Sequence, residues 1–185
     1  MSKEVIIRDA IDSDRDAIAG VLLDAYSQYS AYLPEAFWLE YRDSILASVQ
    51  GDAPAARIVA EIDQQIAGSM LLFTSSEAAY GRPELGINAP ILRLLAVSTA
   101  ARGRGIATLL IGEAVRRSRE QGAAALHLHT SDMMASAIKL YEHLGFTRAY
   151  ETDIMNGETL VKGYRLDLLS APAHEVNQPL SATGL

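Results

Sequence analysis

Residues 91–107, ILRLLAVSTAARGRGIA, constrain the fold of this chain more than any other stretch. A compact apolar run ends in a short turn, and the turn carries Gly103 and Gly105 to the start of a helix. That helix spans 105–121, with Ala107, Leu110, Ile111, Ala114, Val115 and Ser118 tracing its buried stripe and Gly122 stopping it. A further apolar strand, 126–130, follows directly. Strand, helix and strand in this order predict a right-handed crossover between parallel strands. The helix start also has chemistry of its own. Its first N–H groups lack intrahelical partners and the helix dipole adds partial positive charge, which suits a phosphate. Gly103 and Gly105 let the backbone approach phosphate oxygens without a Cβ, and Arg102 and Arg104 add cationic hydrogen bonds at the same edge.

The flanking sequence alternates between strand and helix periods. Val5, Ile6 and Ile7 read as a first strand. Asp12, Ser13 or Asp14 is positioned to cap a helix carrying Ile18, Val21, Leu22 and Ala25 on one face. Pro34 opens a second helix with Phe37, Trp38, Tyr41, Ile45 and Leu46 along a broad face, and residues 51–54 break it. Residues 57–62 and 66–74 predict a hairpin around Asp63, Gln64 and Gln65. Residues 75–90 are the longest irregular stretch and a candidate substrate-side loop. After the 126–130 strand come a helix over 133–144, with Gly145 as its C′ residue, and strands at 146–150 and 160–168. The expectation is an α/β fold on the α+β borderline: a mixed, mostly antiparallel sheet with helices on both faces. Residues 1–169 form one domain, and 170–185, rich in Pro, Ser, Ala and Asn, read as a flexible tail.

Composition sets the outer limits. The 185 residues include 16 basic and 23 acidic side chains, a net charge of −7 that argues against nucleic-acid binding. The cluster of Arg116, Arg117 and Arg119 reads accordingly as a solvated helix face, with Glu113 an i,i+4 partner for Arg117. With no cysteine there is no disulfide framework, no thiolate nucleophile and no cysteine-based metal site, and no metal is expected. No apolar run is long enough to span a bilayer and the N-terminus lacks a signal-peptide pattern, so the expected setting is cytoplasmic, without a membrane partner.

Three phosphate-binding patterns compete for residues 102–108. A Walker loop needs a lysine that is missing here, and a dinucleotide fingerprint would end on a small residue where Thr108 stands. The third pattern, [Q/R]-x-x-G-x-[G/A], is met by Arg102, Gly105 and Ala107. It resembles the first motif of the GNAT acyltransferase superfamily. Residues 134–146, MASAIKLYEHLGF, resemble the second motif of that superfamily through Ala137, Leu140, Tyr141, Leu144, Gly145 and Phe146. The likeness extends over roughly residues 4–169 and implies the GNAT fold, whose fourth and fifth strands splay apart.

The resemblance implies an N-acetyltransferase that uses acetyl-CoA as cosubstrate and passes the acetyl group directly to an amine. Arg102, Gly103, Arg104, Gly105, Ile106, Ala107 and Thr108 would then hold the pyrophosphate. The backbone of Leu95, Ala96 and Val97 would align the pantetheine arm, with an N–H near Val97 polarising the thioester carbonyl. Tyr141 is the candidate general acid toward the departing thiolate, with orientation of the sulfur as the alternative role. Many members carry a glutamate base on the fourth strand, six positions before its final valine; Ile91 stands there. His127 and His129 on one face of the 126–130 strand are candidate bases, as is Glu84, each with a structural alternative. Tyr29, Tyr32 and His129 are the candidate acceptor-binding residues, and packing is expected for Phe37 and Tyr41. The acceptor is a small-molecule or peptide amine, and family members are often homodimers. The rival from another class is a non-catalytic acyl-CoA-binding or sensing module, which the missing strand glutamate keeps open.

Overall fold

The computed structural model describes residues 3–170. Eight strands form the sheet: β1 (Ile6–Asp9), β2 (Ala56–Ile62), β3 (Gln65–Phe73), β4 (Ile91–Val97), β5 (Ala125–Thr130), β6 (Thr147–Arg148), β7 (Ile154–Asn156) and β8 (Thr159–Asp167). Their order is β1-β2-β3-β4-β5-β8-β6, with β7 paired to the other end of β8. Only β4 and β5 run parallel, joined through the crossover helix α4 (Ile106–Glu120). The mixed, mostly antiparallel sheet with helices on both faces is the expected architecture. The predicted tail lies outside the described residues apart from Ser170.

Two cores flank the sheet. On one face α1 (Arg15–Tyr26) and α2 (Glu35–Gln50) bury Ile18, Leu22, Ile45 and Val49 against Val59, Leu71 and Ile91. On the other, α4 buries Ile106, Leu110, Ile111 and Ala114 against Ile58, Met70, Leu92 and Leu128, and α5 (Ala135–His143) adds Tyr141. Gly68 lets α4 press onto the sheet. A Cβ there would lie 2.9 Å from Ile106 Cγ2, 3.1 Å from the Ala96 carbonyl oxygen and 3.2 Å from Leu110 Cδ1. Ionic and polar contacts tie the helices to the strands. Arg15 donates to the Val49 and Gln50 carbonyls at the end of α2, where the last carbonyls lack helical partners. Arg117 bridges Glu113 on its own helix and Asp9 on β1.

The structure departs from the sequence expectation in three places. Residues 75–90 are not simply irregular: they hold a short helix, α3 (Ser76–Tyr80), with Ser75 Oγ accepting from the Ala78 N–H at its start. Gly81, at φ +65°, ends it. The strand expected over 146–150 is only Thr147–Arg148, because Ala149 turns away into a 3-10 turn over Tyr150–Thr152. The pairing that turn releases is taken by β7, which forms a hairpin with β8 around Gly157 and Glu158.

Candidate active site at the strand splay

The site is built by a discontinuity in β4. Pairing to β3 runs Leu72–Leu92 and Leu71–Arg93, then resumes at Ser69–Ala96, so β4 carries one extra residue. Leu94 takes up the excess with φ +51°, a left-handed conformation that costs an L-residue about 1–2 kcal/mol. The bulge shifts the alternation of side chains: Ile91, Leu94 and Ala96 pack on the α1/α2 face, whereas Leu92, Leu95 and Val97 pack on the α4/α5 face.

Immediately past this point β4 and β5 part. Their pairing is confined to Ile91 with His127 and Leu92 with Leu128. The Ser98 N–H donates to the Ala67 carbonyl at 2.8 Å, across the Gly68–Val97 pair. Peptide groups alternate in direction along an antiparallel strand, so the N–H and C=O of Val97 point away from β3 and into the gap. Leu95 shares that direction, and its carbonyl accepts from the Tyr26 hydroxyl at 3.2 Å. Ala96 is turned the other way, toward its partner Ser69 on β3.

The turn leading into α4 opens at the same end of β4. Thr99 donates its N–H to Asp24 of α1 at 2.7 Å, which fixes the start of the turn. Gly103 and Gly105 adopt φ +78° and +73°, and an added Cβ at either would meet nothing within 4 Å. Their role is therefore conformational: the left-handed Gly105 aims the first N–H groups of α4 outward past an open surface. Arg102 and Arg104 are exposed beside it. Ile106 is divided in function, with its side chain in the core against Gly68 and its N–H in the opening turn of the helix. Ala107 and Thr108 follow in that turn, half-buried. An open, positively polarised helix start beside an outward-facing strand end fits a ligand with phosphate at one end and an amide-bearing arm at the other.

A cluster of tyrosines lies beside the bulged end of β4, where Tyr26 bonds the Leu95 carbonyl. Tyr141, only 8% exposed on α5, packs its ring against Phe146 at 5.9 Å. Burial raises the pKa of its phenol, and the nearby phenols of Tyr29, Tyr41 and Tyr80 raise it further. Tyr26 stacks edge-on with Tyr29 at 5.8 Å and Tyr41 at 6.1 Å. Burial also pushes Tyr41 up to about 12, against the opposing Arg93 guanidinium. Burial raises the pKa of the Tyr29 phenol, and the Arg102 guanidinium opposes that rise. Tyr32 lies apart from this cluster, 72% exposed. The packing expected for Phe37 is not found: its ring is 61% exposed, while Tyr41 on the adjoining turn points inward.

Arg93, the only charged side chain of β4 and a poor base, makes a contact with Tyr80 that the sequence pattern did not predict. The Arg93 guanidinium lies 4.9 Å from the Tyr80 ring centroid and donates to the Ala79 carbonyl at 2.6 Å. The Tyr80 hydroxyl lies 2.9 Å from His129 Nδ1, and His129 Nε2 lies 2.7 Å from the Thr152 carbonyl oxygen. The residue pair Ser75 and Gly81, a helix cap and a helix stop, was the available signal for α3 and hence for the placement of Tyr80. His127 is buried, and its Nδ1 has no hydrogen-bond partner among the described residues. Burial, then Arg165 and His129, push its pKa down to about 4. Glu84 lies in the exposed turn over Pro83–Leu85. Ile91, fully buried, is core.

The model of the Acetyltransferase (GNAT) family matches residues 18–146, well over half of the chain. The chain belongs to the GNAT acetyltransferase family. Among named relatives, rat N-acetyltransferase family 8 member 2 is 31% identical over 122 residues, 60% of this chain and 52% of that protein. The chain thus spans about half the length of that relative. A GNAT-family acetyltransferase structure from Staphylococcus aureus superposes with a TM-score of 0.68 at 16% identity, covering 89% of this chain and 99% of the other. The PaiA N-acetyltransferase of Thermoplasma acidophilum, solved in complex with coenzyme A, gives 0.65 at 14% identity, covering 86% and 98%. These structures share the GNAT fold. No group of three or more His, Asp or Glu residues among those described is placed to hold a metal, and no described helix is long and apolar enough to cross a membrane.

Proposed function

We propose that this GNAT protein is an N-acetyltransferase that moves the acetyl group of acetyl-CoA directly to a primary amine of a small molecule or peptide. The observation that carries the proposal is the gap that opens where β4 and β5 part, with the Val97 peptide groups turned away from β3, and Tyr141 buried in the core on the α4/α5 face of the sheet. Acetyl-CoA supplies an activated acyl group and a good leaving group. The first turn of α4, with Arg102 and Arg104, holds its pyrophosphate, and the Val97 and Leu95 peptide groups align its arm. The Val97 N–H donates to the thioester carbonyl oxygen, where negative charge develops as the amine attacks. The Tyr141 phenol is protonated at neutral pH, burial holding its pKa above an already high ordinary value, and it gives that proton toward the departing thiolate sulfur. The tyrosine-lined side of the gap receives the acceptor, with Tyr29 near its mouth.

Thiol release from acetyl-CoA, screened against a panel of primary amines and short peptides, tests the activity. Amine-dependent release is expected. Tight CoA binding with no release on any amine would instead identify a binding module. With an accepted amine in hand, Tyr141→Phe is expected to lower kcat about 100-fold while leaving the Kd for CoA unchanged. Wild-type turnover in that variant removes the acid role from Tyr141.

A further inference from the structure

GNAT proteins that use a strand glutamate as base offer no guide here, because the corresponding side chain is the buried Ile91. The chain must manage the proton of the incoming ammonium by other means, and a hydrogen-bond chain is built where β4 and β5 part, with His129 and Arg93 next after the last paired residues of the two strands. It begins at Tyr80, whose ring is held 4.9 Å from the guanidinium of Arg93 on β4. It continues through His129 Nδ1 at 2.9 Å and ends at the Thr152 carbonyl, 2.7 Å from His129 Nε2.

The chemistry of the last partner sets the direction of the whole chain. A carbonyl oxygen only accepts, so His129 Nε2 carries a hydrogen and donates it to Thr152. In the neutral ring Nδ1 is then the acceptor, and the Tyr80 hydroxyl donates to it. The lone pairs of Tyr80 Oη are left to receive a proton from outside. The anchor is itself constrained. The turn that presents the Thr152 carbonyl is closed by Thr152 Oγ1 donating to the Ala149 carbonyl at 2.8 Å. It nests against Gly163, the β8 partner of His129, where a Cβ would collide with Thr152 Oγ1 and the Ala149 oxygen. Arg93 from β4 stacks on the Tyr80 ring, so the ring is gripped from one side and hydrogen-bonded at its tip.

We propose that Tyr80 and His129 form the proton route of this enzyme, with Tyr80 as the catalytic residue that meets the acceptor amine and His129 as the group behind it. The proposal rests on the acetyltransferase activity proposed above. As the amine is deprotonated, an N–H bond of the ammonium breaks, its electron pair stays on nitrogen, and the proton passes to Tyr80 Oη. The original Tyr80 proton passes to His129 Nδ1, and the resulting imidazolium keeps its Nε2–H on Thr152. The charged groups facing His129 bear on how long that state lasts. Burial and Arg93 on β4 disfavour the imidazolium, while the Thr152 carbonyl and Asp153 in the following turn favour it; His127 lies two residues away on the same strand. The balance lies on the neutral side, which leaves Nδ1 free to accept and returns the proton readily.

Tyr80→Phe keeps the ring over Arg93 and removes the hydroxyl; His129→Gln keeps a donor toward Thr152 and removes the Nδ1 acceptor. With an amine the wild type acetylates, each variant is expected to lose about 100-fold in kcat at pH 7 with CoA affinity unchanged. The double variant is expected to be no slower than either single one. The loss should shrink as pH rises through the pKa of the amine, because solution then supplies the neutral nucleophile. A loss equal at every pH, or none at all, overturns the proton route while leaving the acetyltransferase intact. Failure of the wild type to acetylate any amine overturns both. The imidazole 15N spectrum of the wild-type protein gives a measurement independent of turnover and of variant folding. A protonated Nε2 and an unprotonated, hydrogen-bonded Nδ1 are expected for His129, and the opposite tautomer overturns the route.

Discussion

Replacing Gly68 by Ala adds one methyl group beneath the start of α4. The new Cβ would lie 2.9 Å from Ile106 Cγ2, 3.1 Å from the Ala96 carbonyl oxygen and 3.2 Å from Leu110 Cδ1. Carbon atoms in ordinary contact sit about 3.5–4.0 Å apart, so relief requires a shift of about 0.6–1 Å by groups that have little room. Ile106 and Leu110 are fully buried and Ala96 is backbone in the β3–β4 ladder. Overpacking of this kind costs about 1–3 kcal/mol. At a urea slope of about 2 kcal/mol/M the unfolding midpoint should fall by about 0.5–1.5 M. The displaced groups are also the first turn of α4 and the end of β4, so CoA binding measured by calorimetry should weaken about tenfold, about 1.4 kcal/mol. Gly20→Ala is the matched control. It lies in α1 with nothing within 4 Å of its added Cβ, and the same substitution there should stabilise by about 0.5–1 kcal/mol. An unchanged midpoint together with unchanged CoA affinity in Gly68→Ala would refute the close-approach argument.

Two further perturbations test the site and the sheet. Gly105→Ala forces a Cβ into a φ of +73°, with an expected cost of about 1–2 kcal/mol and weaker CoA binding. Gly105→Asn should recover part of both, and equal behaviour of the two variants in thermal melts and titrations would contradict a conformational role. The second concerns His127, whose folded pKa of about 4 lies below its ordinary value of 6.5. The unfolded chain then binds the extra proton between those values, so stability is full above about pH 6.5 and falls as pH drops toward 4, by up to about 3 kcal/mol. Urea midpoints at pH 7.5 and 5.0 should show a larger acid loss in the wild type than in His127→Gln; equal losses would place the acid sensitivity elsewhere.

Much of the architecture was legible because periodicity and punctuation agreed. The crossover from β4 through α4 to β5, the β2–β3 hairpin and α5 with Gly145 each combine an apolar repeat with a turn residue of matching conformation. Asp63 and Gln64 adopt positive φ at the hairpin turn, and Gly145 does so after α5. The bulge at Leu94 left no such trace. Leucine has no preference for the left-handed region, and the extra residue shows only in the register against β3. Tyr80 was hidden for a related reason: α3 is five residues long, too short for a helical repeat to declare itself. The β7–β8 hairpin was more accessible, since Gly157 stands first in a two-residue turn, with Glu158, between two short apolar runs. Gly68 and Gly163 matter through what presses on them across the fold, and no local pattern encodes that.

The narrow junction between β4 and β5 has a mechanical meaning. In the strand ladder, two residue pairs, Ile91–His127 and Leu92–Leu128, join the β1–β4 half of the sheet to the β5–β8 half, and the rest of the join is the core shared beneath α4 and α5. Elsewhere the ladders run the length of their strands. The sheet's ladder is therefore two plates meeting at a narrow waist, with the gap beside it. A molecule lying along that opening and bonded to both plates acts as a splint. Thermal protection by such a molecule would then measure stiffening of the whole sheet, over and above the occupancy of one site.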